Sequence, residues 1–192
     1  MATIHVLDET TINKIAAGEV VERPASVVKE LIENSIDADA TSIEVEIGEG
    51  GSAYMRITDN GKGMTEEDAR LAVLRHATSK IQKVEDLFDI ASLGFRGEAL
   101  ASIASVSHFV LTTRTVDQEL GTRILIDGGT FTDCIPYGAA PGTTIEVKEL
   151  FFNTPARRKF LKTERTESSK IQDIVGKLAL SNPHIAFKLT ID

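Results

Sequence analysis

Residues Pro24 to Ala38, PASVVKELIENSIDA, decide how the rest of this chain is read. At about 100° per residue, Val27, Val28, Leu31, Ile32, Ser35, Ile36 and Ala38 fill one broad side, as in a helix packed on a sheet. Pro24 suits the first turn, where its missing N–H has no intrahelical partner to lose. Glu30 and Asn34 lie one turn apart on the border of that side, with Glu33 and Asp37 further towards solvent. On an arbitrary amphipathic helix such a pair is a solvated rim. The motifs that follow reverse that reading.

The stretch Ala53 to Thr58 alternates as a strand does and runs into Asp59-Asn60-Gly61-Lys62-Gly63-Met64. Asn-Gly is also the strongest short hairpin signal. Here, however, Thr65 opens a helix as N-cap, with Asp68 in the reciprocal capping position. The loop therefore leads from strand to helix, and its glycines permit positive φ or close approach of bare backbone. A third glycine motif, Leu93 to Leu100, LGFRGEAL, precedes a helical run. Glycines before a helix start leave N–H groups and the positive end of the dipole available to phosphate. Neither the Walker A pattern nor the dinucleotide fingerprint occurs. Between these motifs, Arg75 to Ser92 shows no long periodicity and reads as a lid over a ligand.

The ordered set ELIEN (30–34), DNGKGM (59–64), GFRGEAL (94–100) and PGTTIEV (141–147) resembles the nucleotide-binding motifs of the gyrase, chaperone, histidine-kinase and MutL ATPase superfamily. The segments at 15–38, ATSKI (77–81), 94–106 and LFFNTPARRKFL (150–161) are similar to the MutL family of DNA mismatch-repair proteins. One departure is Asp39, where that family has glycine; aspartate tolerates the left-handed conformation needed just past a helix.

The resemblance implies ATP and Mg²⁺ as cofactors. It makes Glu30 the general base that polarises a water for in-line attack on the γ-phosphate. It makes Asn34 the magnesium ligand, one neutral oxygen sufficing for an ion that keeps waters and phosphates. Asp59 would accept a hydrogen bond from the adenine amino group and so penalise guanine. Gly61, Gly63 and Met64 would lie along the base and sugar, Thr78 and Lys80 in the lid, and Gly94, Gly97, Glu98, Ala99 and Leu100 at the phosphates. Thr144 corresponds to a threonine below the adenine, against the plain alternative of a strand hydroxyl.

The coarse pattern places helices at 11–20, 24–38, 65–73 and 97–104, and a strand pair at 42–47 and 53–59. Strands follow at 107–114, 121–127, 130–135 and 143–147, with Asp127-Gly128-Gly129 as a tight turn. Ile171, Ile174, Val175 and Leu178 mark a late amphipathic helix, and 184–191 a strand beginning the next unit. This predicts an α+β fold, a two-layer sandwich of a mixed, mostly antiparallel sheet with helices on one face. The superfamily's Bergerat-type fold matches it. The expected division is an ATP-binding domain over 1–181, its lid at about 75–97, then at 182–192 a linker or the start of a transducer domain. In the family the transducer supplies a lysine to the γ-phosphate, so weak ATP binding and very slow hydrolysis are expected here.

With 192 residues and 42% hydrophobic content the chain can bury a substantial core. Cys134 alone excludes an internal disulfide, and no apolar run reaches membrane-spanning length. Met1 to Asp8 do not resemble a secretory signal. These features point to the cytoplasm, with nucleoid association when acting. His5, His76, His108 and His184 lack ligand spacing, which argues against zinc. A net charge of −8 argues against a uniformly basic nucleic-acid surface. The exception is Arg157, Arg158 and Lys159, with Lys162 and Arg165 beyond, which offset nearby glutamates or contact DNA. The resemblance further implies a MutS-type mismatch recognition protein, DNA, a second copy of the chain in an ATP-dependent dimer, and a downstream endonuclease and helicase as partners. Two other readings stay open: another superfamily member, such as a type II topoisomerase or a histidine kinase, and a nucleotide-gated interaction module that does not hydrolyse ATP.

Overall fold

The computed structural model describes residue 18, residues 20–74 and residues 98–192. Helix α1 (Pro24–Asp37) starts from an extended Arg23 with Pro24 in its first turn. Val27, Val28, Leu31 and Ile32 are fully buried along it, each worth about 1.5–3 kcal/mol of burial. The helix closes in a Schellman turn: Ala40 N–H donates to Ser35 O and Asp39 N–H to Ile36 O, with Asp39 at φ 59°.

Strands β1 (Ser42–Gly48) and β2 (Tyr54–Asp59) form the expected antiparallel pair, joined through a 3-10 turn over Glu49–Gly51. Helix α2 (Glu66–Ala72) is capped by Thr65, whose side chain accepts from Asp68 N–H and donates to the Asp68 carboxylate. After α3 (Ala99–Ala104) come β3 (His108–Arg114), β4 (Gly121–Asp127), β5 (Thr130–Tyr137) and β6 (Gly142–Lys148). Helices α4 (Pro155–Phe160) and α5 (Glu164–Ser181) precede β7 (Ala186–Ile191). β5 extends beyond its expected end through Pro136, which an edge strand accepts because no neighbour needs its missing N–H.

Among the described residues the strands make one seven-stranded sheet in the order β5-β4-β3-β6-β2-β1-β7. Every pairing is antiparallel except β1 with β7. Inward side chains such as Ile43, Val45, Met55, Ile57, Phe109, Leu111, Ile145 and Val147 build one core with α1. Side chains of the opposite parity form a charged ladder, Arg123 with Glu146, Arg56 with Glu46, and Lys188 with Glu44. The period of two thus separates a core face from a polar face, as the α+β expectation required.

One boundary differs. Residues 186–191, expected to open a further unit, are the edge strand of this same sheet, in parallel register from Ser42↔Ala186 to Ile47↔Ile191. The long helix α5 packs on α1 and on the 3-10 turn and supplies the crossover that such a strand needs. The lid expected at 75–97 and the helix expected at 11–20 lie outside the described residues, apart from Gly18 and Val20, which are helical.

Candidate functional site

The site forms where the last turn of α1 meets the end of β2. Asp59 closes β2 with its side chain on the helix-facing parity, buried in an otherwise apolar layer. Three donors hold its carboxylate. Oδ1 accepts from Gly61 N–H at 2.9 Å and from Thr143 N–H at 3.3 Å. Oδ2 accepts from Ser35 Oγ at 2.8 Å. Burial pushes the Asp59 carboxyl above its ordinary value, and the hydrogen bonds from Gly61, Ser35 and Thr143 pull the other way.

Ser35 lies next to Asn34, so the same helix turn that grips Asp59 carries the candidate metal ligand. Asn34 is half-buried, and among the described residues no group bonds its side-chain amide. Glu30, also half-buried, stands one turn earlier on the same border. The helical rise of about 1.5 Å per residue puts it roughly 7.5 Å along the axis from Ser35. Glu33 does not point to solvent as the helical wheel placed it; it is 7% exposed and paired to Lys29 at 2.9 Å. A wheel knows only its own helix, and tertiary packing covers this border.

The glycines of the 59–64 loop serve the protein's own backbone. A Cβ on Gly61 would stand 2.6 Å from the Ala38 carbonyl oxygen, beside the bond from Lys62 N–H to that same oxygen. Gly63, at φ 67°, lies so close to Arg114 that a Cβ would meet its carbonyl oxygen at 2.0 Å. Met64 N–H donates to Thr113 Oγ1 at 2.9 Å. Asn60 points away from the site: its Oδ1 accepts from Thr41 and Ser42 N–H, each at 2.9 Å, and its Nδ2 donates to Thr41 Oγ1. The loop is therefore pinned to the C-terminus of α1 on one side and to β3 on the other, which fixes where Asp59 sits.

Thr144 is not beside Asp59. Its hydroxyl bonds Thr58 Oγ1 at 3.2 Å on the polar face of the sheet. Thr143 shares the parity of buried Ile145 and Val147, donates its N–H to Asp59, and meets Thr113 through its hydroxyl at 3.0 Å. Strand parity, legible in the sequence as Thr143, Ile145, Val147, puts Thr143 and not Thr144 on the side of Asp59. Ser35 was equally legible as the one hydroxyl in the centre of an apolar stripe, a buried group that must find a partner.

Glu98 is the N-cap of α3, with Ala99 and Leu100 half-buried in its first turn. Thr78, Lys80, Gly94 and Gly97 lie outside the described residues. On α4 the three candidate cations differ. Arg157 lies against Gly18, with a buried Nη1 that has no hydrogen-bond partner among the described residues. Arg158 pairs with Glu149 at 3.8 Å, and Lys159 is exposed. Among the described residues no group of three or more His, Cys, Asp or Glu could hold a metal, and no helix is long and apolar enough to cross a membrane.

A family model described as histidine kinase-, DNA gyrase B- and HSP90-like ATPase matches residues 22–127. The chain is 59% identical over 192 residues to the DNA mismatch repair protein MutL of Caldanaerobacter subterraneus subsp. tengcongensis, covering 100% of this chain and 32% of that protein. It is 57% identical over 187 residues to the MutL of Xanthomonas axonopodis pv. citri, covering 97% of this chain and 30% of that one. The chain thus spans about a third of the length of the curated relatives it matches. Among solved structures, the Aquifex aeolicus MutL ATPase domain complexed with ADP superposes with a TM-score of 0.71 at 38% identity, over 90% of this chain and 61% of that one.

Proposed function

Since this chain belongs to the histidine kinase-, DNA gyrase B- and HSP90-like ATPase family, we propose that the pocket between α1 and the 59–64 loop takes Mg-ATP and hydrolyses it slowly. One observation carries this reading: a buried carboxylate, Asp59, is bonded to the same helix that presents Glu30 and Asn34 one turn apart. The ADP complex of the Aquifex aeolicus MutL ATPase domain supports a nucleotide in this fold.

Asp59 offers an acceptor for the 6-amino group of adenine; guanine, with a carbonyl there, leaves the buried carboxylate facing another acceptor. We assign Thr143, whose N–H bonds Asp59, rather than Thr144 to that end of the site. The half-buried amide of Asn34, unbonded among the described residues, fits an ion that takes one protein oxygen and completes its shell with water and phosphate. Magnesium, when bound, supplies neutralisation of phosphate charge. Glu30 takes the proton of a water whose oxygen bonds the γ-phosphorus as the bridging P–O bond to ADP breaks, releasing phosphate.

In the whole protein we read this cycle as control of dimerisation and of the coupling between mismatch recognition by a MutS-type protein and strand incision on DNA, in the cytoplasm. The relatives named above are mismatch-repair proteins, which favours this reading over a topoisomerase or a kinase. Slow turnover by this chain alone belongs to the same proposal. Titration with a non-hydrolysable ATP analogue, with and without Mg²⁺, tests it: binding that requires Mg²⁺ and disappears in Asp59→Asn supports the assignment. Affinity indifferent to both contradicts it.

A further inference from the structure

We infer that Ser35 is a positioning residue for the purine: its buried hydroxyl holds Oδ2 of Asp59 in the one rotamer that keeps a lone pair of that oxygen open to a 6-amino group. The inference rests on the ATP reading above and adds a determinant of base selection to it. An ionised carboxylate has about four acceptor positions. Gly61 and Thr143 occupy both of Oδ1, and Ser35 occupies one of Oδ2. Counted over the described residues, a single position remains for a ligand, and its direction is set by the bond to Ser35.

The hydroxyl has a competing acceptor. Ser35 Oγ also lies 3.1 Å from Leu31 O, the back-bond that serine commonly makes inside a helix. Its one hydrogen goes to the nearer, charged oxygen at 2.8 Å, because a bond to an ionised acceptor is about twice as strong as one to a neutral carbonyl. When Asp59 takes a proton, the two groups exchange roles: Asp59 donates to Ser35 Oγ and the hydroxyl turns to Leu31 O. Ser35 therefore favours the ionised acceptor while leaving neither state with an orphaned group. Because Ser35 follows Asn34 on a rigid helix, the same bond fixes the base-binding carboxylate relative to the metal-binding amide.

Ser35→Ala removes one oxygen from a side chain that is 3% exposed and suits a helix better than serine. Ser35→Cys retains a weak S–H donor. Two readouts separate positioning from mere packing, both on the 192-residue chain. The first is the affinity for non-hydrolysable ATP and GTP analogues with Mg²⁺ between pH 5 and 8. The second is the titration of the Asp59 ¹³Cγ resonance in protein without nucleotide. We expect Ser35→Ala to weaken the ATP analogue about tenfold or more and to leave the GTP analogue unchanged, so that the preference shrinks by that factor. The Asp59 midpoint should move up, with Ser35→Cys between the two. An ATP-selective wild type whose Ser35→Ala variant matches it in selectivity and in the Asp59 titration overturns the role of Ser35 alone. A wild type that takes the GTP analogue as readily as the ATP analogue overturns the ATP reading and, with it, this inference.

Discussion

The amide of Ala40 donates to the carbonyl of Ser35 at 3.2 Å, closing α1 around Asp39 in the left-handed region at φ 59°. Glycine is the residue that occupies such a C′ position without Cβ strain. Asp39 is exposed, so its replacement removes no packing. Asp39→Gly should raise stability by about 1 kcal/mol, roughly 2–4 °C in Tm for a chain of this size. A lower Tm would show that the aspartate side chain stabilises the turn in some other way.

Asp59 holds its proton more tightly in the folded chain than its ordinary value of 3.8 implies, with burial as the main cause. A raised acid favours the folded state at low pH, and that contribution is lost as pH climbs from the ordinary value through the raised one. Asp59→Asn cannot ionise; its Oδ1 keeps the Gly61 and Thr143 donors, and its Nδ2 can donate to Ser35 Oγ. Without nucleotide the variant should be at least as stable as wild type at pH 7 in urea melts and less dependent on pH between 4 and 7. Its affinity for ATP should fall by tenfold or more. A loss of stability above about 1 kcal/mol would mean that the charge itself holds the fold.

Glu30 and Asn34 share a helix border, and the different tasks proposed for them can be separated by kinetics. Glu30→Gln should lower the hydrolysis rate by about 10²-fold or more with nucleotide affinity retained. Asn34→Ala should weaken Mg-ATP roughly tenfold and leave Mg-free nucleotide little changed. Single-turnover hydrolysis and equilibrium binding, measured on both variants, check this. Equal loss of affinity in the two would merge their roles.

Arg157 covers Gly18 with its guanidinium, whereas Lys159 on the same helix is exposed. Arg157→Ala should therefore cost stability through lost packing. Lys159→Ala should leave stability within about 0.5 kcal/mol. If α4 contacts DNA, the Arg158→Ala, Lys159→Ala pair should flatten the salt dependence of DNA binding by about one to two in log–log slope. An unchanged slope removes α4 from any DNA surface.

Local periodicity made most of the elements legible. The 3.6-residue stripe of α1, the alternation of β1 and β2, and the Thr65 cap each depend on residues close in sequence, and all three stand where the pattern places them. The placement of Glu30 and Asn34 was readable for the same reason, being one turn apart on one helix. The pattern erred where neighbours in space decide. Glu33 is covered by packing that its own helix does not reveal, and β7 joins β1 across more than a hundred residues rather than opening a new unit.

By itself, then, the amino-acid order determined which segments are helix or strand, which face of each is apolar, and which family motifs stand at which positions. Only the tertiary structure decided that Asp59 is held by Ser35, Gly61 and Thr143, that Thr144 faces the polar side of the sheet, and that Gly61 and Gly63 make room for Ala38 and Arg114. The physical reason is range. Propensity and periodicity act over a few residues, whereas a buried carboxylate is satisfied by whichever donors the folded sheet and helix bring within 3 Å or so, however far apart they lie along the chain.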